Sequence, residues 1–124
     1  MRITYAPGAR DERPWGTWEV LAVGEEGAVA YAVKRITVRP GGVLSLQRHR
    51  HRQEQWVIVQ GRAAVWVDGE RSECGPEDVV RIPRGSWHRI ACLGEEPLVF
   101  IEVQTGALLS EDDIERREDV YGRV

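Results

Sequence analysis

Residues 41–61, GGVLSLQRHRHRQEQWVIVQG, decide the fold. Successive side chains of a strand point to opposite faces. A strand running to His51 therefore puts Val43, Ser45, Gln47, His49 and His51 on one side and Leu44, Leu46, Arg48 and Arg50 on the other. Polar groups of the kind that ligate metals thus share a face. After a short turn, Glu54 opens a second strand, with Trp56 and Ile58 on its own face and Val57 and Val59 on the opposite one. Both faces carry bulky apolar groups, so the outer side needs cover from a second layer or from another subunit.

Working outward, further β-type runs occur at residues 17–23, 28–38, 63–67, 79–82, 87–92 and 98–104, beside 43–51 and 54–59. Glycine, proline or charged clusters separate them, which is the spacing of an all-β sandwich or barrel. Asp68-Gly69, between alternating residues, is the strongest hairpin signal, and Pro40-Gly41-Gly42 and Pro83-Arg84-Gly85 read as loops. Near the end, Ser110 suits an N-cap, Asp113 the capping-box position, and Glu111, Asp112 and Asp113 a negatively charged first turn. This pattern predicts one helix over residues 111–119.

A chain of 124 residues makes one domain, spanning 1–124. Hydrophobic residues are 42% and charged residues 30%, as in ordinary globular proteins, and no apolar run approaches the roughly 18 residues of a membrane span. The first residues hold Arg2, Arg10, Asp11, Glu12 and Arg13 without an apolar stretch of signal-peptide length, so the chain reads as cytoplasmic, with Cys74 and Cys92 reduced. Net charge is -3 and dispersed, Arg48, Arg50 and Arg52 excepted, which argues against nucleic acid as a partner. Sixteen arginines accompany one lysine, Lys34; the skew carries no functional information.

Spacing brings a resemblance. Gly41, five residues, Gln47, one residue, His49, four residues, Glu54, six residues and Gly61 resemble the first cupin motif, with Gln47 in place of its first His. Pro83, Gly85 and His88 resemble the second, whose trailing Asn position holds Cys92 here. A closer resemblance runs from Arg13 to Arg123 through Arg13-Pro14-Trp15-Gly16, Val33-Lys34-Arg35-Ile36, Leu44-Ser45-Leu46-Gln47, His51-Arg52, Ile101-Glu102-Val103-Gln104, Glu111-Asp112-Asp113-Ile114 and Tyr121-Gly122-Arg123. These stretches are similar to the C-terminal cupin domain of type II phosphomannose isomerases, which in that family follows a nucleotidyltransferase domain making GDP-mannose. The resemblance implies a cupin double-stranded β-helix, a jelly-roll barrel that here stands alone. It also implies a divalent metal and interconversion of mannose 6-phosphate and fructose 6-phosphate.

The motifs put Gln47, His49, Glu54 and His88 forward as metal ligands, a mixed N/O set that suits zinc first and iron, manganese, nickel or cobalt as well. With one anionic ligand the centre stays electrophilic. His51 reads as a proton shuttle or a turn residue, and Arg52 as a holder of phosphate or enediolate oxygen or a solvated turn arginine. Lys34 matches a family position and is expected to serve the site. Arg35 and Arg116 are alternatives between phosphate clamp and surface salt bridge. Glu102 is a general acid or base, or a structural carboxylate; His51, Glu102 and a metal-bound water all remain open as the base. Gln55 stands where the family commonly has His, but alternation turns it away from Glu54. The five tryptophans read as core, with Trp87 able to line the mouth.

The functional expectation is a metal-dependent sugar-phosphate isomerase, with a sugar phosphate as small-molecule partner. Two alternatives are a cupin oxygenase, since His49, His88 and Glu54 form the 2-His-1-carboxylate set of non-haem iron, and a non-catalytic sugar-binding module. A homodimer is expected from Leu44, Leu46, Val57 and Val59, read as one outward patch; the other reading is that residues 17–23 and 28–38 cover it.

Overall fold

Alternation of period two sorts eleven strands into two facing sheets in the computed structural model, which describes residues 2–123. In chain order they are β1 (Arg10–Arg13), β2 (Gly16–Glu26), β3 (Val29–Val38), β4 (Leu46–Arg48), β5 (Arg52–Gln60), β6 (Ala63–Val67), β7 (Glu70–Cys74), β8 (Val79–Ile82), β9 (His88–Cys92), β10 (Leu98–Gly106) and β11 (Glu115–Glu118). One sheet has the order β1-β2-β3-β10-β5-β8 and the other β11-β4-β9-β6-β7. Neighbouring strands run antiparallel.

Register explains where the core ends and the site begins. β10 pairs with β3 and β5 along its length, so their inward residues form level rungs. Phe100 stands between Ile36 and Ile58, Glu102 between Lys34 and Trp56, Gln104 between Ala32 and Glu54, and Gly106 between Ala30 and Arg52. The barrel thus changes from apolar to ionisable within one rung. Its apolar end holds Trp15, Val38, Val65, Ile82, Ile90 and Leu98 with the Phe100 rung. Gly106 is required by contact: a Cβ there would lie 2.0 Å from the carbonyl oxygen of His51.

The Asp68-Gly69 signal is a two-residue hairpin between β6 and β7, with φ of 48° and 86°. Both residues in the left-handed region match the twist of the flanking strands.

Three expectations need correction. The helix over residues 111–119 is not formed; a turn precedes β11, whose Arg116 pairs with Gln47. Ser110 does cap that turn, its hydroxyl accepting from the Asp112 amide at 3.1 Å. The Asp113 carboxylate, however, accepts the amides of Arg50 and His51 at 2.9 Å each, so tertiary partners outweigh local helix signals. The strand expected at 43–51 shrinks to Leu46–Arg48, because the chain bends at Arg50 and His51. The outward patch also splits. Leu44 packs against the main core, Leu46 sits outside the five-stranded sheet beside Trp66 and Trp87, and Val57 and Val59 are exposed on the six-stranded sheet. Strands β2 and β3 extend that sheet and do not cover it. Among the described residues, no helix is long and apolar enough to cross a membrane.

Candidate metal centre

β5 supplies Glu54, β9 supplies His88, and the residue following β4 is His49. All three are buried, and one ligand atom from each lies within 4.8 Å of the others. His49 Nδ1 lies 2.7 Å from the carbonyl oxygen of Asp113, and His88 Nδ1 lies 2.9 Å from that of Ser86. A carbonyl only accepts, so each Nδ1 carries the proton and donates, and each Nε2 keeps a lone pair. His49 Nε2 is 3.3 Å from Glu54 Oε2. Burial lowers His49 to about 4 against the partial opposition of Glu54, and burial lowers His88 too. Both imidazoles are therefore neutral at pH 7, as ligation requires.

Glu54 is anionic for a different reason. Burial works to raise its pKa, but Arg52 and then the two histidines hold it well below the usual carboxylate range. Arg52 Nε donates to Glu54 at 2.9 Å, and its other nitrogens meet the Ser110 carbonyl at 3.0 Å and His49 Nε2 at 3.4 Å. Next to this carboxylate sits a second one. The Trp56 indole donates to Glu54 at 3.0 Å and to Glu102 at 3.1 Å, and Gln104 donates to Glu102 at 2.7 Å. Burial and the Glu54 charge push Glu102 up to about 8, so it holds a proton at neutral pH. Tyr5 hydrogen-bonds Gln104 and extends the network toward the N-terminus.

Lys34 is buried, donates to Glu111 at 2.9 Å and lies 4.1 Å and 4.5 Å from the Tyr5 and Trp18 ring centres. Gln47, half-buried opposite His88, donates from its amide nitrogen to the Ser45 hydroxyl at 3.2 Å. Together with Arg52, Glu54, His88 and Glu102, these side chains line one open-mouthed cavity of about 60 Å³.

His51 is not brought to this cavity. It is exposed, because the bend at Arg50 and His51 ends the alternation that would have set it beside His49. Arg35 also lies outside, pairing with Glu19 at 2.7 Å. Trp87 stands on the outer face between Arg48 and Arg117, whose guanidinium carbons are 4.7 Å and 4.2 Å from its ring centre. Gln55 faces outward, as alternation requires. Conversely, Arg13, Trp18, Arg89, Glu111, Arg116 and Arg123 line the cavity. Apart from Arg116, sequence reading assigns none of these residues to the site: Trp18 reads as core and Glu111 as the first turn of a helix, and the five are scattered along the chain.

The donor set fits a divalent metal: two neutral imidazoles and one carboxylate place ligand atoms within 4.8 Å of one another. A double-sheet barrel with such a cluster at its polar end defines a cupin with a candidate metal site, and solved cupins share the architecture. A cupin-2 domain from Rhodospirillum rubrum is 31% identical with a TM-score of 0.64, over 78% of this chain and 67% of that one. The chain belongs to the family described as Mannose-6-phosphate isomerase C-terminal, which matches residues 5–119. Among curated relatives, a mannose-1-phosphate guanylyltransferase of Salmonella typhimurium is 47% identical over 90% of the chain. The alginate biosynthesis protein AlgA of Pseudomonas aeruginosa is 48% identical over the same share. The chain spans 22% of the length of each.

These relatives overturn one expectation. The activity named for the Salmonella relative and for a 46% identical Escherichia coli relative is guanylyl transfer, so a stand-alone sugar-phosphate isomerase is not what the chain resembles. Neither the oxygenase nor the non-catalytic module finds support among them. The physical reason is general: motif spacing fixes a scaffold and a ligand set, and many reactions share both.

Proposed function

We propose that the chain is the phosphorylated-mannose-binding, metal-holding part of a mannose 1-phosphate guanylyltransferase system. The observation that carries this reading is electrostatic. In a chain of net charge -3, the cavity over the His49–Glu54–His88 cluster is lined by Arg13, Lys34, Arg52, Arg89, Arg116 and Arg123 against three carboxylates. Such a lining favours an anionic ligand, and the names of the relatives supply mannose phosphate.

His49, Glu54 and His88 would hold the metal, zinc being the one we assign to two imidazoles and a carboxylate, with the Gln47 amide oxygen as fourth ligand. When bound, the metal supplies a Lewis-acidic centre for a sugar oxygen. Arg52 fixes the Glu54 carboxylate and keeps it charged. Glu102 holds a proton near the cluster, and Lys34 adds a positive charge inside the wall. A homodimer through the outer face of the six-stranded sheet belongs to this reading, since Val57, flanked in register by Ile101 and Val79, is left exposed.

The test is calorimetric titration of zinc-loaded and chelated protein with mannose 1-phosphate, mannose 6-phosphate and mannose. The phosphates should bind the loaded form and lose most affinity on chelation. Absence of mannose phosphate binding to the loaded form, or binding indifferent to metal, refutes the reading.

A further inference from the structure

Among the described residues, two buried donors in the cavity wall have no acceptor: the indole nitrogen of Trp18 and Nε of Arg116. An N–H taken out of water and left unpaired is destabilising, and such orphans mark a missing partner. They come from opposite walls. Trp18 lies on β2 of the six-stranded sheet and Arg116 on β11, the edge strand of the other, and both line the same cavity.

Cations outnumber acids around them, Arg13, Lys34 and Arg123 standing with Glu111 in the cavity wall. The Arg13 guanidinium carbon is 5.9 Å from the Trp18 ring centre and Lys34 Nζ is 4.5 Å from it. Arg116 sits near Arg123, and burial together with that neighbour disfavours its charged form. The acids within reach are already engaged. Asp119 accepts from Arg123 through both carboxylate oxygens at 2.7 Å and 3.1 Å, and Glu111 holds Lys34 at 2.9 Å and Arg13 at 3.8 Å. Arg52, which the sequence put forward as a phosphate holder, and Lys34, which it expected to serve the site, direct donors to protein acceptors instead. A tetrahedral oxyanion offers several acceptor oxygens at once and can serve two unpaired donors that line one cavity.

We propose that Trp18 and Arg116, with Arg13 and Arg123 around them, form the subsite for the phosphoryl group of the sugar phosphate, beside the metal cluster. The proposal rests on the functional reading above and adds the location of the phosphate. The Trp18 N–H and the Arg116 Nε–H donate to phosphate oxygens, while Arg13 and Arg123 complete the positive field.

The experiment titrates zinc-loaded protein with inorganic phosphate, mannose 1-phosphate and mannose. Arg116→Gln should weaken both phosphate compounds about 10- to 100-fold, the range for loss of a charge-assisted bond, with metal content and mannose affinity unchanged. Trp18→Phe keeps the ring and removes one neutral donor; a loss of about 3- to 10-fold for the same two probes is expected. Phosphate affinities unchanged in both variants overturn the subsite, even where mannose 1-phosphate still binds and the functional reading survives. Equal losses for mannose and its phosphate overturn it as well. Phosphate binding that the variants abolish, with no added affinity from the mannosyl group, supports the subsite and sinks the mannose reading instead.

Discussion

Replacing Glu102 with Gln should flatten the alkaline side of the stability profile. Glu102 is buried between the Trp56 indole and the Gln104 amide, and burial together with Glu54 holds its pKa at about 8 against an ordinary 4.5. Between those values the folded chain keeps a proton that the unfolded chain has released. The contribution is complete below pH 4.5 and is lost as pH rises through about 8, at about 1.4 kcal/mol per pH unit for one proton. From about pH 6.5 to 8 the loss comes to about 2 kcal/mol. Gln reproduces the protonated acid, with one oxygen to accept and one NH₂ to donate, and cannot ionise. Urea unfolding of the chelated protein across that window measures the effect. A wild type whose stability is flat there, or a Glu102→Gln variant with the wild-type slope, refutes the argument.

On the acid side His49 contributes in the other direction. Its folded pKa is about 4 against 6.5, so its stabilisation is full above pH 6.5 and is lost as pH falls through about 4, with His88 shifted the same way. The melting temperature should drop from pH 7 to pH 5, more steeply than in His49→Gln, and an equal drop in both proteins contradicts this. His49→Ala or His88→Ala should remove stoichiometric zinc by plasma mass spectrometry, while His51→Ala keeps it; zinc lost with His51→Ala would undo the ligand assignment. Arg52→Met leaves Glu54 buried and unpaired and should cost about 3–5 kcal/mol in urea unfolding, with a loss below about 1 kcal/mol as the contrary result. Val57→Glu with Val79→Glu should convert a dimer to folded monomers by light scattering, and a wild type already monomeric at micromolar concentration rules out the dimer.

The residues that were legible in the sequence share a physical trait: their partners are close in the chain or fixed by alternation. β6 and β8 fall where expected, at 63–67 and 79–82, because short apolar runs there are bounded by turn residues. His49 and Glu54 are four intervening residues apart, and the hydrophobic strand after Glu54 fixes its inward face. β1 and β7 were illegible, since Arg10–Arg13 and Glu70–Cys74 are largely exposed and show no apolar alternation. The tail reads as a helix only if Asp113 caps it; its partners are Arg50 and His51, more than sixty residues away. His51 fails for the same reason, as its bend depends on that distant carboxylate. Trp18 and Arg116 meet only through the closure of two sheets, which leaves no trace in local spacing.

The level rungs of β3, β10 and β5 also bear on how such a barrel diversifies. Packing and chemistry occupy successive tiers of the same three strands, with Ile36, Phe100 and Ile58 below and Lys34, Glu102 and Trp56 above. A substitution in the upper tier changes the charge and proton inventory while the lower tier keeps the sheets in register. Inheritance can therefore rewrite what the mouth binds one tier at a time, without refolding the floor that supports it.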